Sequence, residues 1–118
     1  MRILIADDSD IVRRAIASLL SAEMNLNVCG EARNGLEALQ KAQELQPDLI
    51  LLDVSLPDIN GLEVARRLRL EVPKMKILVI SQHDPVQLLP RVIKAGGDGC
   101  LDKSRLAADL VVTIEGMQ

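Results

Sequence analysis

Residues 49–64, LILLDVSLPDINGLEV, decide the fold of this chain. The stretch opens with a dense apolar run, Leu49–Leu52, which ends in Asp53. A short apolar run without alternation is typical of a strand that is buried on both faces of a parallel sheet. After a loop come Asn60-Gly61-Leu62-Glu63, with an N-cap residue and a glutamate three positions later. The stretch therefore predicts a buried strand that leads directly into a helix.

The same strand-to-helix unit recurs along the rest of the chain. The other predicted strands are also short apolar runs, at Arg2–Ala6, Leu26–Ala32, Lys76–Ile80 and Gly99–Asp102. The predicted helices carry apolar residues three and four positions apart, over about 10–23, 34–45, 60–70 and a final segment that Ser104 would cap. Strict alternation of strands and helices predicts an α/β domain with a doubly wound, five-stranded parallel sheet and helices on both faces.

The helix between the fourth and fifth strands has two alternative starts. Asp84-Pro85 is a good N-cap and first-turn pair. Pro90, however, has no N–H for an intrahelical hydrogen bond. Either the helix begins near Pro90 and is short, or it begins earlier and is kinked there.

Length and composition restrict the class of protein. With 118 residues, the chain fits one domain, 1–118. Its net charge of −3 and the lack of a basic block argue against direct nucleic-acid contact by this segment. The sequence shows neither a signal peptide nor a membrane span, and Cys29 and Cys100 fit reduced thiols, so we expect a cytoplasmic protein. The chain has no Phe, Tyr or Trp, so aliphatic residues and Met must form its core.

Polar residues stand where four of the predicted strands end. They are Asp7, Asp8, Asp53, Ser81 and Lys103. The carboxyl ends of parallel strands meet at one edge of a sheet, where such folds bind ligands. Three crowded carboxylates repel one another and attract Mg²⁺. A carboxylate can also attack phosphorus to form an aspartyl phosphate, whose charge a hydroxyl and an ammonium stabilise. This edge is therefore the predicted site of phosphoryl transfer.

Several segments, in this order, resemble the receiver domain of bacterial two-component response regulators. They are ILIADDSDIVR, LILLDVSLPDINGLEV, KILVIS and KAGGDGCLDK. The resemblance spans essentially the whole chain. It implies a flavodoxin-like fold with strand order 2-1-3-4-5.

The resemblance also implies a role for each site residue. Asp53 would accept a phosphoryl group from a phosphohistidine on a sensor histidine kinase or a phosphotransfer protein. The implied Mg²⁺ ligands are Asp7, Asp8, Asp53 and the backbone carbonyl of Ser55, while Ser81 and Lys103 would contact the phosphoryl group. Pro57 and Gly61 match the loop that shapes the pocket.

The function implied is a phosphorylation-dependent signalling switch and not a turnover enzyme, although such a domain catalyses its own phosphorylation and dephosphorylation. The acyl phosphate would alter the face formed by the last two helices and the fifth strand. That face would control an output domain or a partner protein, with transcription as one outcome. A homodimer is left open.

Three positions depart from the family pattern. Cys100 stands where the family usually has Tyr or Phe, the ring that turns inward when the Ser/Thr residue moves. Ser104 stands where many members have Pro after a cis peptide bond, and a cis Lys103–Ser104 bond would cost about 3 kcal/mol. Gln82 stands where many members have a small residue, which would narrow access to Asp53.

Two other interpretations are kept. Asp8-Ser9-Asp10 fits the DxD motif of haloacid-dehalogenase-like phosphatases, with Asp8 as nucleophile. Alternatively, the chain is an interaction module that is never phosphorylated.

Of the other charged residues, His83 is interpreted as an exposed loop residue. The helical arginines are interpreted as solvated faces, with a kinase contact as a second interpretation for the first two: Arg13, Arg14, Arg66, Arg67 and Arg69.

Overall fold

A computed structural model describes residues 1–118, and it contains one five-stranded sheet. The strands are β1 (Arg2–Ala6), β2 (Asn27–Ala32), β3 (Leu49–Asp53), β4 (Lys76–Ser81) and β5 (Gly99–Asp102). Every neighbouring pair is parallel, and the order is β2-β1-β3-β4-β5. This confirms the predicted sheet and the strand order that the resemblance implies.

Five α-helices connect and follow the strands. They are α1 (Asp10–Ser21), α2 (Gly35–Leu45), α3 (Gly61–Glu71), α4 (Pro85–Lys94) and α5 (Leu106–Gly116). Asn34 and Asn60 cap α2 and α3 as predicted, since their side chains accept hydrogen bonds from Glu37 N and Leu62 N. No helix combines the length and the apolar character that crossing a membrane requires.

The sheet separates two apolar clusters. The central strand β3 is buried along its whole length because helices cover both of its faces. Leu4, Ile50 and Val79 belong to one cluster, under α2, α3 and α4. Ile5 and Leu51 belong to the other, under α1 and α5. Aliphatic side chains fill both clusters, with Met75 added in the first, as the lack of aromatic residues requires.

Helix α4 begins at Pro85, with the Asp84 carboxylate accepting a hydrogen bond from Val86 N at 2.9 Å. The alternative of a short helix starting near Pro90 is therefore wrong. Pro90 lies inside the helix and has no N–H to donate to the carbonyl of Val86. Both residues are exposed, so water can reach that side of the helix.

The predicted cap of the last helix is also wrong. Lys103–Arg105 form a turn of 3-10 helix, and α5 begins after it without a side-chain cap. Ser104 donates its hydroxyl to the Asp102 carboxylate, which also accepts a hydrogen bond from Ser104 N. Asp102 thus caps the turn because its carboxylate reaches the N–H two residues ahead.

Arg69 is not part of a solvated face, although Arg66 and Arg67 are exposed as predicted. Its guanidinium donates hydrogen bonds to the carbonyls of Gly96 and Met75, each at 2.8 Å. It also forms an ion pair with Asp98 at 2.8 Å. Arg69 therefore ties the end of α3 to the turn after α4.

Gly61 lets α3 begin directly against the end of β3. A Cβ atom at this position would lie 2.4 Å from the Asp53 carbonyl oxygen and 2.6 Å from Val54 Cα. Both neighbours are backbone atoms, so they cannot move away without shifting Asp53 and the residue after it. Space, and not a left-handed backbone, is what this position requires.

We expect Gly61→Ala to lower the free energy of unfolding by about 1–3 kcal/mol, because the added methyl group overpacks the backbone. Urea unfolding followed by far-UV circular dichroism measures the change. Gly116→Ala is the matched control, since a Cβ there meets nothing within 4 Å. The control should unfold like the wild type or be up to about 1 kcal/mol more stable. Equal stability of Gly61→Ala and the wild type would show that the backbone of Asp53 and Val54 shifts to accommodate the methyl group without loss of stability.

Candidate functional site

The predicted carboxylates meet at the carboxyl edge of the sheet. Asp7 follows β1 and Asp53 ends β3, and both are buried, whereas Asp8 is exposed. One carboxylate oxygen from each of the three lies within 4.8 Å of the others. Strand pairing explains this proximity, because Ala6 and Leu52, one residue before each buried acid, are direct partners in the sheet.

Lys103 lies between the two buried acids. Its ammonium nitrogen is 2.7 Å from Asp7 Oδ2 and 3.1 Å from Asp53 Oδ2, and the side chain is 13% exposed. Neither of these oxygens accepts a hydrogen bond of good geometry. The single positive charge of Lys103 is therefore their main compensation, and it leaves this buried group with a net negative charge.

The second oxygen of each buried acid is held by the backbone. Ser55 N donates to Asp53 Oδ1 at 3.0 Å, and Ser9 N donates to Asp7 Oδ1 at 2.9 Å. Each carboxylate thus has one fixed oxygen, while its other oxygen faces the ammonium. An unbonded buried carboxylate oxygen is the donor that a cation or a phosphorus centre needs.

Burial raises the pKa of Asp53, because the ionised form loses hydration. The backbone hydrogen bond from Ser55 opposes this rise, the charge of Asp7 adds to it, and Lys103 again opposes it. Burial also acts to lower the pKa of Lys103, but its close contacts with the carboxylates of Asp7 and Asp53 and their negative charges outweigh it and raise that pKa. Lys103 therefore remains an ammonium, beside an unusually basic carboxylate.

Ser81 ends β4 and is fully buried. Its hydroxyl oxygen accepts a hydrogen bond from His83 N at 2.9 Å and makes none with Asp53 or Lys103. The hydroxyl proton is thus not committed to the other site residues. His83 and Gln82 are both exposed, as predicted for His83.

The loop after Asp53 is attached to α2 by a residue that sequence reasoning missed. Both oxygens of the Asp58 carboxylate accept hydrogen bonds, from Gly35 N at 2.6 Å and Leu36 N at 3.0 Å. These bonds lower the pKa of Asp58, led by the one from Leu36. A carboxylate at a helix N-terminus also interacts favourably with the helix dipole. Asp58 therefore fixes the loop that carries Ser55.

Arg13 is the main correction to the sequence interpretation, since only 7% of the residue is exposed. It is not on the solvated face of α1, although Arg14 is. The signal was its spacing, because Arg13 lies three and seven residues before the buried Ile16 and Leu20. Burial also makes it a poor candidate for a kinase contact.

Cys100 and the Lys103–Ser104 peptide bond are two of the positions that depart from the family pattern. Cys100 is partly buried against the apolar cluster under α2, α3 and α4. Burial raises the pKa of its thiol, and the charge of Asp102 adds to the rise. The Lys103–Ser104 peptide bond is trans.

Three carboxylates, a hydroxyl and a lysine at the carboxyl edge of a five-stranded parallel sheet define a class, the flavodoxin-like domains with an acidic phosphoryl-transfer edge. Within that class, the response regulator receiver domain model matches residues 3–115. The chain belongs to this family. Membership decides against the phosphatase interpretation, which made Asp8 the nucleophile.

Curated relatives of known family agree with this membership. The chain is 38% identical over 112 residues to the transcriptional regulatory protein LnrK of Bacillus subtilis (95% of this chain, 50% of LnrK). It is 37% identical over 114 residues to the response regulator GacA of Pseudomonas viridiflava (97% of this chain, 53% of GacA). The chain thus spans about half the length of the curated relatives it matches.

Solved structures show the same fold. A LuxR-family two-component response regulator from Aurantimonas sp. SI85-9A1 superposes with a TM-score of 0.92 at 31% identity, over 98% of this chain and 83% of that one. The receiver domain of the putative response regulator NarL from Mycobacterium tuberculosis gives 0.91 at 29% identity, over 98% and 94%.

We expect Lys103→Met to lower the free energy of unfolding at pH 7 by about 3 kcal/mol, because it leaves Asp7 and Asp53 buried without their cation. The pKa of Asp53, already raised in the folded state, should rise further. A buried acid with a raised folded-state pKa stabilises the fold at low pH, and this stability is lost as pH rises from its unfolded to its folded pKa. The deficit of the variant should therefore shrink towards pH 5.

Urea unfolding at pH 5 and pH 7 measures this difference. Lys74→Met removes an exposed lysine without an ion pair and should change stability little at either pH. A deficit of Lys103→Met that is the same at both pH values would contradict the ion-pair account.

Proposed function

We propose that residues 1–118 form a receiver domain that acts as a phosphorylation-dependent switch, with Asp53 as the phosphoacceptor. The observation that carries this proposal is Asp53 Oδ2, a buried carboxylate oxygen without a hydrogen bond, 3.1 Å from the ammonium of Lys103. The donor would be a phosphohistidine on a sensor histidine kinase or phosphotransfer protein. An Asp53 oxygen forms the new bond to phosphorus as the histidine N–P bond breaks.

The residues present fit a divalent cation. Asp7 and Asp53 each offer a buried oxygen without a hydrogen bond, and Asp8 offers an exposed carboxylate beside them. Asp7, Asp8, Asp53 and the backbone carbonyl of Ser55 would hold Mg²⁺. When bound, Mg²⁺ neutralises negative charge on the transferring phosphoryl oxygens.

The remaining residues handle the other phosphoryl oxygens. Lys103 would pair with one of them, a role that the contact of its ammonium with Asp53 supports. Ser81 has a hydroxyl proton to donate to another once the group is attached. The raised pKa of Asp53 makes its carboxylate a more basic nucleophile, while Ser55 N keeps Oδ1 in place.

Relatives about twice as long support a proposal for the output. LnrK is described as a transcriptional regulatory protein, and one solved neighbour belongs to the LuxR family. We propose that this segment controls an output domain or a partner protein in the cytoplasm, with transcription as the regulated process. It would do so without touching nucleic acid and without turning over a substrate. A second copy of this chain is a further candidate partner.

The signal would leave the pocket through β4 and α4. Ser81 is fully buried and bonded to His83 N, so its movement towards a phosphoryl group pulls on the start of the loop before α4. Cys100 is too small to fill the space that an aromatic ring would take. The coupling then rests on backbone motion between Ser81 and Gly97.

Acetyl phosphate with Mg²⁺ should add one phosphoryl group per chain, detected by intact-mass spectrometry, because the site needs only a small donor. The adduct should be labile to hydroxylamine, as an acyl phosphate is. Asp53→Asn should remove it, whereas Asp48→Asn, which changes an acid remote from the pocket, should retain it. A label that persists in Asp53→Asn would move the nucleophile elsewhere. A wild type that takes no label would favour the interaction module.

Phosphorylation, or a beryllofluoride mimic, should change amide hydrogen exchange mainly between Ser81 and Gly97. Cys100→Ala should leave the change largely intact, because the thiol only packs against the cluster under α4. Exchange mass spectrometry of both proteins, with and without beryllofluoride, measures this. If Cys100→Ala abolishes the change while Asp53 is still phosphorylated, Cys100 is itself the relay and this coupling is wrong.

A further inference from the structure

Four polar or charged residues of this chain are buried: Asp7, Arg13, Asp53 and Ser81. Three of them have a role in the proposed phosphoryl-transfer site, and Arg13 has none. We infer that Arg13, held by Glu31, is a positioning residue that orients the Asp7-Asp8 pair for cation binding. The inference rests on the proposed function, since it concerns the same cation site.

The contact that supports it is made with the backbone. Arg13 Nη1 donates to the Asp7 carbonyl oxygen at 2.6 Å, in a buried position. That carbonyl belongs to the peptide group that joins Asp7 to Asp8, so the guanidinium fixes the plane of this peptide. The Asp7 side chain has its own restraints, from Ser9 N and Lys103. The Asp8 side chain has neither a hydrogen bond nor an ion pair, so its direction depends on the backbone.

The guanidinium is itself fixed on two further sides. Arg13 Nε lies 3.0 Å from Glu31 Oε1, and Nη2 pairs with the carboxylate of Asp10. Glu31 lies in β2 beside β1, opposite Ile5. One side chain thus joins the start of α1, the end of β1 and the edge strand. This contact set needs the planar fork of arginine, which a lysine ammonium cannot reproduce.

The charge of Arg13 and its positioning role predict opposite effects of its removal on Mg²⁺ binding. Arg13 is a cation close to a site that would hold a cation, so removing its charge should strengthen Mg²⁺ binding if electrostatics dominated. If orientation dominates, removing Arg13 weakens binding despite the lost repulsion. The direction of the change therefore separates the two effects.

The test is the dissociation constant for Mg²⁺, measured by isothermal titration calorimetry on EDTA-treated protein. Arg13→Gln should raise it about tenfold or more, the usual cost of losing a group that orients metal ligands. Arg13→Lys should raise it too, although it keeps the charge. Glu31→Gln should raise the dissociation constant less. The double variant Arg13→Gln/Glu31→Gln should bind Mg²⁺ no more weakly than Arg13→Gln alone, because Glu31 acts through Arg13. Arg14→Gln, the same charge change at an exposed neighbour, should bind as tightly as the wild type or slightly more tightly.

The melting temperature in EDTA, followed by circular dichroism, isolates a purely structural role. A lowered melting temperature with an unchanged Mg²⁺ dissociation constant in Arg13→Gln overturns the inference. If Arg13→Gln does not fold, the half-exposed Glu31→Gln carries the test, and an unchanged constant there overturns it equally. A wild type that binds no Mg²⁺ overturns the proposed cation site along with it, whereas a wild type that binds while Arg13→Gln binds equally overturns the positioning role alone.

Discussion

The ammonium of Lys103 faces Asp7 at 2.7 Å and Asp53 at 3.1 Å, in a place that water hardly reaches. Two unit charges about 4 Å apart repel by about 4 kcal/mol at an effective dielectric constant near 20, so without this cation the two ionised acids would destabilise the fold. Lys103 follows β5, Asp7 follows β1, and Asp53 ends β3. The charges therefore join the carboxyl ends of three strands. The same arrangement leaves a surplus of negative charge at this edge, which is what a cation site requires.

Most of the fold could be predicted because it depends on local pattern. A strand buried on both faces is a nearly continuous apolar run. The strands at Leu49–Asp53 and Lys76–Ser81 can therefore be recognised from their own sequence, without knowing which strands they pair with. Asn34 and Asn60 mark helix starts because their side chains bond to the next turn. The site followed from the fold, since parallel strands place their carboxyl ends at one edge. The strand order itself came from the resemblance.

What the sequence could not reveal involves contacts between distant residues. Arg13 looked solvated because arginine usually is, and its partner Glu31 lies 18 positions away on another element. Asp58 lies in the predicted loop after Asp53, but its carboxylate bonds to the start of α2, more than 20 positions earlier. Ser104 does not cap α5, because it lies inside the 3-10 turn before that helix and its hydroxyl donates to the Asp102 carboxylate. Arg13 and Asp58 have partners on other elements, which local pattern does not show, whereas Ser104 depends on Asp102 only two residues before it.

Helix α4 is attached to the domain by few interactions. Only Leu88 and Val92 are buried, and Pro90 removes one hydrogen bond from its interior. Segments with so little buried surface open at a free-energy cost far below that of global unfolding. A shift between two positions of such a helix is therefore a small step for the molecule. Shifting a two-state equilibrium from 1:99 to 99:1 takes about 5.5 kcal/mol of differential binding free energy. The less free energy it costs to move α4, the less a single covalent modification has to supply.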